Sequence, residues 1–263
     1  MSSLLLNLLF PPRCAGCDEL IPVSDWRRGE ECLCRDCRAA WELSKLATCS
    51  ECGEAMMDCR CMPRQLEESG MQALCKLSGY GTDTEDQRTV ANRLVYCIKD
   101  RHVIAYERFV AEQLASVVRA ELQNRGWLLR REDGTMPFET VVTYCPRSVA
   151  MKRKTGTDQA ERIARRLAKK LELPYMPLFV RRDSVEQKRL SGQERQTHAK
   201  MTYRLRRNAS VRVKRVILVD DIVTTGASMA ACTEVLIGDG ALSVIGVAVE
   251  RVNRKKRKKQ KNT

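Results

Sequence analysis

The sequence is poor in aromatic residues and histidine, and it lacks the glycine-rich motif of P-loop nucleotide-binding proteins. Aromatic residues make up 5% of its 263 positions, and two histidines, His102 and His198, are present. Both histidines lie in charged, loop-like segments, which gives little support to histidine-based general acid–base catalysis. The absence of G-x4-G-K-[S/T] excludes a P-loop phosphate site.

The first twelve residues, MSSLLLNLLFPP, are apolar but lack the marks of an export signal. They have no basic start and no small-residue cleavage site, and the apolar run is too short to span a bilayer. We interpret them as a short helix that ends at Pro11-Pro12, and we expect a cytoplasmic protein without a membrane span. In that reducing compartment, clustered cysteines more often bind metals than form disulfides.

Positive charge is in excess and is concentrated at one end of the sequence. The formal net charge is +14, and residues 251–263 carry eight Lys or Arg and no acid, which leaves +6 for residues 1–250. This balance favours polyanionic partners such as nucleic acid, nucleotides or pyrophosphate. We expect the tail to be disordered, and either contact with single-stranded DNA or a solubilising role would account for it.

Nine of the thirteen cysteines lie between Cys14 and Cys61, mostly in closely spaced pairs. Two Cys-x2-Cys pairs complete the four-thiolate site that zinc prefers, so we predict structural zinc and not a catalytic ion with an open position. The sequence does not decide whether the pairs combine consecutively or in a cross-braced order, or whether they bind one zinc ion or two. A metal-free redox cluster is a further alternative, and Cys32 is a spare thiol. The predicted ligands are Cys14, Cys17, Cys34, Cys37, Cys49, Cys52, Cys59 and Cys61. The scattered Cys75, Cys97, Cys145 and Cys232 are interpreted as buried small hydrophobic residues.

The rest of the chain alternates between helical and strand-like patterns, which predicts a parallel sheet flanked by helices. The clearest helix is 158–171, where Asp158 and Glu161 resemble a capping box. Residues 181–207 are polar and aperiodic, so we predict a long loop. Further helices are predicted over 103–123 and 227–237, and strands over 140–145, 176–180, 215–219 and 244–249.

The stretch VILVDDIVTTGAS at residues 216–228 joins a buried strand to the start of a helix. Ligands of parallel sheets bind at the carboxyl ends of strands, and a helix N-terminus offers free N–H groups to an anion. Two carboxylates beside a phosphate would repel it, so they are better suited to ribose hydroxyls or Mg2+. Ordinary N-capping explains one acid or one threonine but not the whole set.

This stretch resembles the thirteen-residue signature with which type I phosphoribosyltransferases bind phosphoribosyl pyrophosphate (PRPP). The resemblance implies that Asp220 and Asp221 hold the ribose hydroxyls and serve catalysis, with Mg2+ accompanying PRPP. It also implies that the 5′-phosphate lies on Thr224, Thr225, Gly226, Ala227 and Ser228.

Other segments are similar to the ComF family, in which an N-terminal zinc module precedes a phosphoribosyltransferase-like domain. They are LLLNLLFPPRCAGC, the further cysteine pairs, GTDQAERIARRLA at 156–168 and QKRLSGQER at 187–195. The resemblance covers nearly the whole chain and implies a role in natural competence and DNA uptake. Thr157 replaces the family's usual aromatic residue, Cys145 replaces a branched apolar one, and Cys59-x-Cys61 replaces a Cys-x2-Cys pair.

Pyrophosphate needs cations, and the basic segment after the strand at 140–145 supplies them. The resemblance implies that Arg147 lies in the pyrophosphate loop and that Arg153 and Lys154 lie near the substrate, with Lys99 as a further candidate. The loop 181–207 would then cover the acceptor or act as a plain connector, and a solvated basic loop is the alternative for the cations.

Two functions agree with these features. One is Mg2+-dependent phosphoribosyl transfer to an unidentified acceptor, and the other is PRPP sensing combined with binding of single-stranded DNA or DNA-uptake proteins. We predict a cysteine-rich zinc module over residues 1–65, a phosphoribosyltransferase-like domain over 75–250 and a basic tail over 251–263.

Overall fold

A four-stranded sheet in which every neighbouring pair of strands is parallel forms the centre of the molecule. The computed structural model describes residues 9–26, 32–80, 90, 93–94, 97, 103–130, 132–181 and 202–252. The strands are β1 Ala73–Tyr80, β2 Thr140–Tyr144, β3 Phe179–Arg181, β4 Tyr203–Leu205, β5 Arg215–Val223 and β6 Ser243–Val252. The order in the parallel sheet is β1-β6-β5-β2, which places β5 and β6 in its interior.

Helices cover both faces of this sheet. They are α1 Arg35–Leu46, α2 Arg64–Glu68, α3 Ile104–Asn124, α4 Val149–Thr155, α5 Gln159–Leu171 and α6 Ala227–Gly238. Alternate residues of β5 enter opposite cores: Ile217 and Val219 pack with α3 and α5, whereas Val216 and Leu218 pack with α2 and α6. The unbroken apolar run of β5 follows from this burial on both faces, and the predicted helix-flanked parallel sheet is confirmed.

The observed elements differ from the predicted ones at several boundaries. β5 continues through Val223, because residues up to Val223 keep pairing with β6, so both acids lie inside the strand and not after it. The strand predicted over 176–180 is shifted to β3. β1 was not predicted, because Lys76 and Ser78 interrupt its apolar pattern.

The long loop predicted over 181–207 is wrong at its end. Tyr203–Leu205 forms β4, which pairs antiparallel with β3, and Phe179 meets Tyr203 edge to face with ring centroids 6.4 Å apart. A three-residue strand of this kind gives almost no periodic signal, so its pairing partner determines it. Residues 182–201, which make up most of the predicted loop, lie outside the described residues.

The N-terminal part contains two turns with the same backbone pattern. In the first, the Cys14 N–H donates to Glu19 O at 2.8 Å, and in the second the Cys49 N–H donates to Glu54 O at 2.8 Å. The fifth residue of each turn, Asp18 or Gly53, has a positive φ of 67° or 79°. The two Cys-x2-Cys pairs that open these turns are therefore structural repeats.

The first of these turns shares a core with α3. The Tyr106 hydroxyl donates to Arg13 O at 2.8 Å, and Trp41 of α1 meets Phe109 edge to face at 5.8 Å between ring centroids. Cys14, Leu33 and Trp41 are at most 1% exposed. Burial of this apolar surface couples the N-terminal part to the sheet-bearing part.

Across the described ranges, no helix combines the length and the hydropathy that a membrane crossing requires.

Candidate functional site

The residues of the predicted anion site meet where β2 and β5 end and α6 begins. Gly226 occupies the N-cap position of α6 with a φ of 80°, in the left-handed region that glycine adopts without strain. No side chain caps this helix, and the Ala227 N–H approaches Thr225 Oγ1 at 3.4 Å. Apart from the Ala227 N–H, the N–H groups in the first turn of α6 and its positive dipole end are thus available to an anion. Four residues around the glycine are exposed: Thr224, Thr225, Ala227 and Ser228.

Asp220 and Asp221 are adjacent but have different surroundings. The Asp220 carboxylate accepts the Asp221 N–H at 2.8 Å, and the Asp221 carboxylate accepts the Ile222 N–H at 2.8 Å. Asp220 as a residue is partly exposed, yet protein atoms surround its carboxylate closely. This burial, together with the charge of Asp221, raises the pKa of Asp220 well above its ordinary value of 3.8. Donors from a ligand, or a cation, would relieve that cost.

Arg147 is the cation that the structure brings to these acids. Its guanidinium forms an ion pair with Asp221, and its backbone N–H donates to the Asp158 carboxylate at 2.9 Å. Lys152 Nζ contacts the same Asp158 oxygen at 3.1 Å. Arg147 and Lys152 are therefore held at the end of β2 by two carboxylates from different elements.

The other predicted cations are placed differently. Arg153 and Lys154 lie in α4 with exposed side chains, so the structure does not bring them against the acids. Lys99 lies outside the described residues. Lys152, in the same basic segment, lies half-buried beside Asp158, a position that the sequence does not predict.

Asp158 was predicted to cap a helix, but its carboxylate contacts Arg147 and Lys152 at the candidate site. The predicted capping box is wrong, because Asp158 makes no side-chain bond to its own helix and Glu161 bonds instead to Tyr144, Tyr175 and Arg165. The Asp158 carboxylate turns toward the segment after β2, where its side chain is 1% exposed. The basic run at 152–154 was the signal that could have suggested this partner.

The predicted zinc ligands form two groups of four thiols. Cys14, Cys17, Cys34 and Cys37 converge in one group, and Cys49, Cys52, Cys59 and Cys61 converge in the other, with all sulfurs of a group within 4.8 Å of one another. The grouping is consecutive along the chain and not cross-braced. Cys32 is buried nearby but belongs to neither group.

The distances within these groups fit a tetrahedral zinc ion. Cys17 and Cys34 have sulfurs 3.8 Å apart, and Cys52 and Cys59 have sulfurs 3.6 Å apart. Zinc–sulfur bonds of about 2.3 Å in a tetrahedron require sulfurs about 3.8 Å apart. In the described part of the chain, every converging set of potential metal ligands consists of cysteine alone, so neither group offers the mixed donors of a catalytic site.

The thiol pKa values lead to the same conclusion. Burial raises the pKa of Cys49, but the N–H donors of Glu51 and Cys52 outweigh it and lower the pKa to about 7. Burial and the neighbouring Cys52 thiol raise the pKa of Cys61 to about 12. Four clustered thiols therefore do not all ionise together unless a cation compensates their charge, which is what a bound zinc ion supplies.

The second cysteine group is tied to the sheet by two cations. Lys76 of β1 is 2% exposed, and its Nζ donates to Cys59 O at 2.7 Å and Cys61 O at 3.0 Å. Arg251 of β6 forms an ion pair with Glu51 at 2.8 Å. Arg251 is the first residue of the predicted tail, yet it lies in the strand, and residues 253–263 lie outside the described ones. The charged Lys76 within a mostly apolar segment was the feature of the sequence that could have indicated this contact.

Comparison with known proteins bears on the second half of the chain. Residues 157–263 match the phosphoribosyl transferase domain. The parallel sheet flanked by helices is accordingly the type I phosphoribosyltransferase-like fold that the sequence predicts. The matched segment includes the acids and the turn at 224–228, whereas Arg147 precedes it. No curated protein matches the chain.

Several solved structures are similar to about half of the chain. They include the phosphoribosylpyrophosphate synthetase of Mycobacterium smegmatis, with 18% identity, a TM-score of 0.33 and coverage of 54% of this chain and 33% of that one. A hypoxanthine phosphoribosyltransferase of Staphylococcus aureus has 13% identity, a TM-score of 0.33 and coverage of 55% and 64%. The adenine phosphoribosyltransferase of Saccharomyces cerevisiae has 17% identity, a TM-score of 0.32 and coverage of 54% and 68%. The chain thus spans a third of the synthetase and just under two thirds of the hypoxanthine enzyme.

Proposed function

We propose that this protein binds PRPP and transfers its phosphoribosyl group to an acceptor. One observation carries the proposal: two acids and a glycine turn meet at the end of β5 and the start of α6, inside the segment that matches the phosphoribosyl transferase domain. In this proposal Asp220 and Asp221 accept hydrogen bonds from the ribose hydroxyls. The turn formed by Thr224, Thr225, Gly226, Ala227 and Ser228 donates to the 5′-phosphate.

Arg147 is the proposed pyrophosphate ligand. Without ligand its guanidinium pairs with Asp221, so each group satisfies the other. With PRPP bound, the ribose hydroxyls replace the guanidinium on Asp221, and Arg147 moves to the pyrophosphate, where charge-assisted bonds favour it. We assign Arg153, Lys154 and Lys99 as further candidates for the pyrophosphate, supported by the sequence resemblance alone.

The proposed reaction breaks the bond between the anomeric carbon of ribose and the pyrophosphate oxygen. The acceptor nucleophile forms the new bond to that carbon, and pyrophosphate leaves with the electron pair. Mg2+ bound with PRPP supplies charge compensation on the leaving group. The chain itself contributes position and electrostatics, with carboxylates fixing the ribose and donors fixing both phosphate ends.

Thermal stability and pyrophosphate release test this proposal. PRPP with Mg2+ is expected to raise the melting temperature of the wild type and to release pyrophosphate when the correct nucleobase is added. The Asp220→Asn/Asp221→Asn variant is expected to lose both effects, whereas Glu112→Gln, an exposed acid on α3, keeps them. No stabilisation of the wild type by PRPP contradicts the proposal. Stabilisation without release for any acceptor favours a PRPP sensor.

A second candidate function is binding of single-stranded DNA in the DNA uptake machinery. The net charge of +14, eight cations in residues 251–263 and the ComF resemblance of the cysteine-rich module favour it. Under this proposal the protein is a cytoplasmic ComF-family component that responds to PRPP. A salt titration of single-stranded DNA binding, with and without residues 251–263, tests it, because lost phosphate contacts lower the salt dependence. No binding by either form at low salt would refute it.

We further propose that each group of four cysteines holds one structural zinc ion. The sulfur–sulfur distances and the consecutive grouping support this assignment. Metal analysis of the purified chain is expected to find two zinc ions per molecule, one fewer in Cys17→Ser and one fewer in Cys61→Ser. A wild type with no zinc would show that the thiols have another role.

A further inference from the structure

The segment that follows the second cysteine group lies directly against the turn at residues 224–228, which we call the phosphate turn. α2 begins three residues after Cys61 and packs on α6. Leu66 is 0% exposed, and a β-carbon built on Gly226 would lie 2.8 Å from Leu66 Cγ. The turn therefore rests on the leucine side chain with no space between them, and the absence of a side chain at 226 makes this approach possible.

The second cysteine group is also connected to the turn through β6. Glu51, between Cys49 and Cys52, forms an ion pair with Arg251, whose side chain is 8% exposed. Arg251 is the β6 partner of Val223, the residue that immediately precedes Thr224. The end of β5 and the turn are thus held from two sides, by Glu51 within the second cysteine group and by Leu66 of the helix that follows it.

Lys76 of β1 anchors the end of the second cysteine group to the sheet. Its buried ammonium group bonds to the carbonyls of Cys59 and Cys61, the last two ligands before α2. A buried lysine is costly unless it is paired, and the carbonyl dipoles together with a tetrathiolate anion would supply that partner. The path from the cysteine group to Leu66 therefore starts from a fixed position on β1.

The first cysteine group makes none of these described contacts with the turn. Its neighbours are on the other face of the sheet, where Cys97 Sγ approaches Ala15 O at 3.6 Å and Tyr106 bonds to Arg13 O. The two groups have the same kind of ligands and the same backbone pattern, but the first packs near α3 and the second lies next to the helix that contacts the turn. This difference provides a matched control within one chain.

We propose that the second cysteine group is the scaffold of the phosphate turn and that Leu66 is the positioning residue that transmits its support. The inference rests on the proposed function for its role in PRPP binding. Metal at Cys49, Cys52, Cys59 and Cys61 holds the start of α2, α2 holds Leu66, and Leu66 sets the backbone of Gly226. Removal of either the metal or the leucine side chain leaves the turn free to move.

Amide hydrogen exchange in the full, zinc-loaded chain without ligand tests this inference. The reporters are the N–H groups of Ala227 and Ala230, since they bond to Thr225 Oγ1 and Gly226 O within the turn. Leu66→Ala is expected to accelerate their exchange about tenfold, and Leu66→Met, which conserves volume, restores protection. Leu236→Ala is the control, because Leu236 is equally buried near the other end of α6. Equal exchange in Leu66→Ala and the wild type, or equal acceleration in Leu236→Ala, would overturn the proposal.

The cysteine variants and PRPP binding complete the test. Cys61→Ser is expected to lose one zinc ion and accelerate the same amides, whereas Cys17→Ser loses one zinc ion and leaves them protected. Where the wild type binds PRPP, Leu66→Ala is expected to weaken it about tenfold to a hundredfold, as misplaced ligand groups do. A wild type that does not bind PRPP contradicts the proposed function, while the exchange comparison still decides the scaffold. Unchanged exchange in Cys61→Ser, or no zinc in the second group, overturns the scaffold.

Discussion

Asp220, a proposed ligand of the ribose, has a buried carboxylate that lowers the stability of the free protein when it is ionised. Its pKa is raised by burial and by the charge of Asp221, so the folded chain binds this proton more tightly than the unfolded chain does. The protonated Asp220 therefore makes its full contribution to the free energy of unfolding below the ordinary pKa of 3.8. That contribution falls as the pH rises toward the pKa that Asp220 has in the folded protein. A carboxylate kept at this cost is typical of a functional site.

Asp220→Asn should therefore stabilise the free protein near neutral pH. Asparagine keeps an oxygen for the Asp221 N–H but carries no charge to bury. We expect a higher melting temperature than in the wild type and a flatter dependence on pH above 4, measured without PRPP. A less stable variant at neutral pH would show that the ionised carboxylate stabilises the free protein.

The Asp158 carboxylate holds the segment after β2, and two substitutions separate its hydrogen bond from its charge. Asp158→Ala removes the acceptor of the Arg147 N–H and should cost about 1–3 kcal/mol of unfolding free energy. Asp158→Asn keeps an acceptor and should cost less, although it loses the charge that faces Lys152. Urea denaturation of both variants measures the difference, and equal losses would assign the effect to the charge alone.

The sequence identifies the acids and the turn, because their spacing and chemistry are local. It does not identify Lys152, Asp158 or Leu66 as site residues, because each acquires its role from a partner elsewhere in the chain. Lys152 meets Asp158 in space, and Leu66 meets Gly226 across 160 positions of sequence. Pairings of this kind carry no periodic signal.

At the scale of helices and strands, α3 and α5 are joined by a buried acid. Glu107 of α3 is 1% exposed and forms ion pairs with Arg162 and Arg166 of α5. Both arginines keep part of their side chains exposed, so they can rehydrate when the acid is removed. The two positive charges would nevertheless lose the group that holds them together.

Glu107→Gln should therefore destabilise the fold more than a matched change on the same pair of helices. We expect a loss of about 2 kcal/mol, less than the 3–5 kcal/mol of a fully buried broken pair. Glu112→Gln is the control, because the exposed pair of Glu112 with Lys170 joins the same helices and should contribute at most about 1 kcal/mol. Equal losses in denaturant unfolding would contradict a special role for the buried acid.

The long elements were predictable because each has a strong pattern of its own. The helix predicted over 103–123 is Ile104–Asn124, and the one predicted over 158–171 is Gln159–Leu171. β4 and the extension of β5 through Val223 were not predictable, because only pairing with β3 and β6 keeps those residues extended. Short strands depend on their neighbours more than on their residues.

At the scale of the whole molecule, both cysteine groups of the N-terminal part are in contact with the sheet or with the helices that cover it. The first cysteine group lies in the core that contains α3, α5 and one face of the sheet. The second is bonded to β1 and β6 through Lys76 and Arg251. Zinc bound to these groups would therefore stabilise the sheet as well as the turns that carry the thiols.

Removal of zinc should accordingly destabilise the whole chain and not only its N-terminal part. We expect a strong chelator to lower the melting temperature in a single transition, followed by circular dichroism and by tryptophan fluorescence. Trp41 and Trp127 report on the two parts, since one lies in α1 and the other follows α3. Two separate transitions, with the second unchanged by the chelator, would show that the parts fold independently.

The sequence by itself determines the apolar strands and helices, the acids and glycine of the predicted PRPP site, and the eight thiols that we assign to zinc. These features depend on residue type and short spacing, which act through local backbone geometry and ligand chemistry. The tertiary structure decides that the thiols group consecutively, that Arg147 faces Asp221, and that α2 packs against the turn at Gly226. These outcomes depend on contacts between segments that are far apart in the sequence. Such contacts stabilise the protein only after the sheet has brought the segments together.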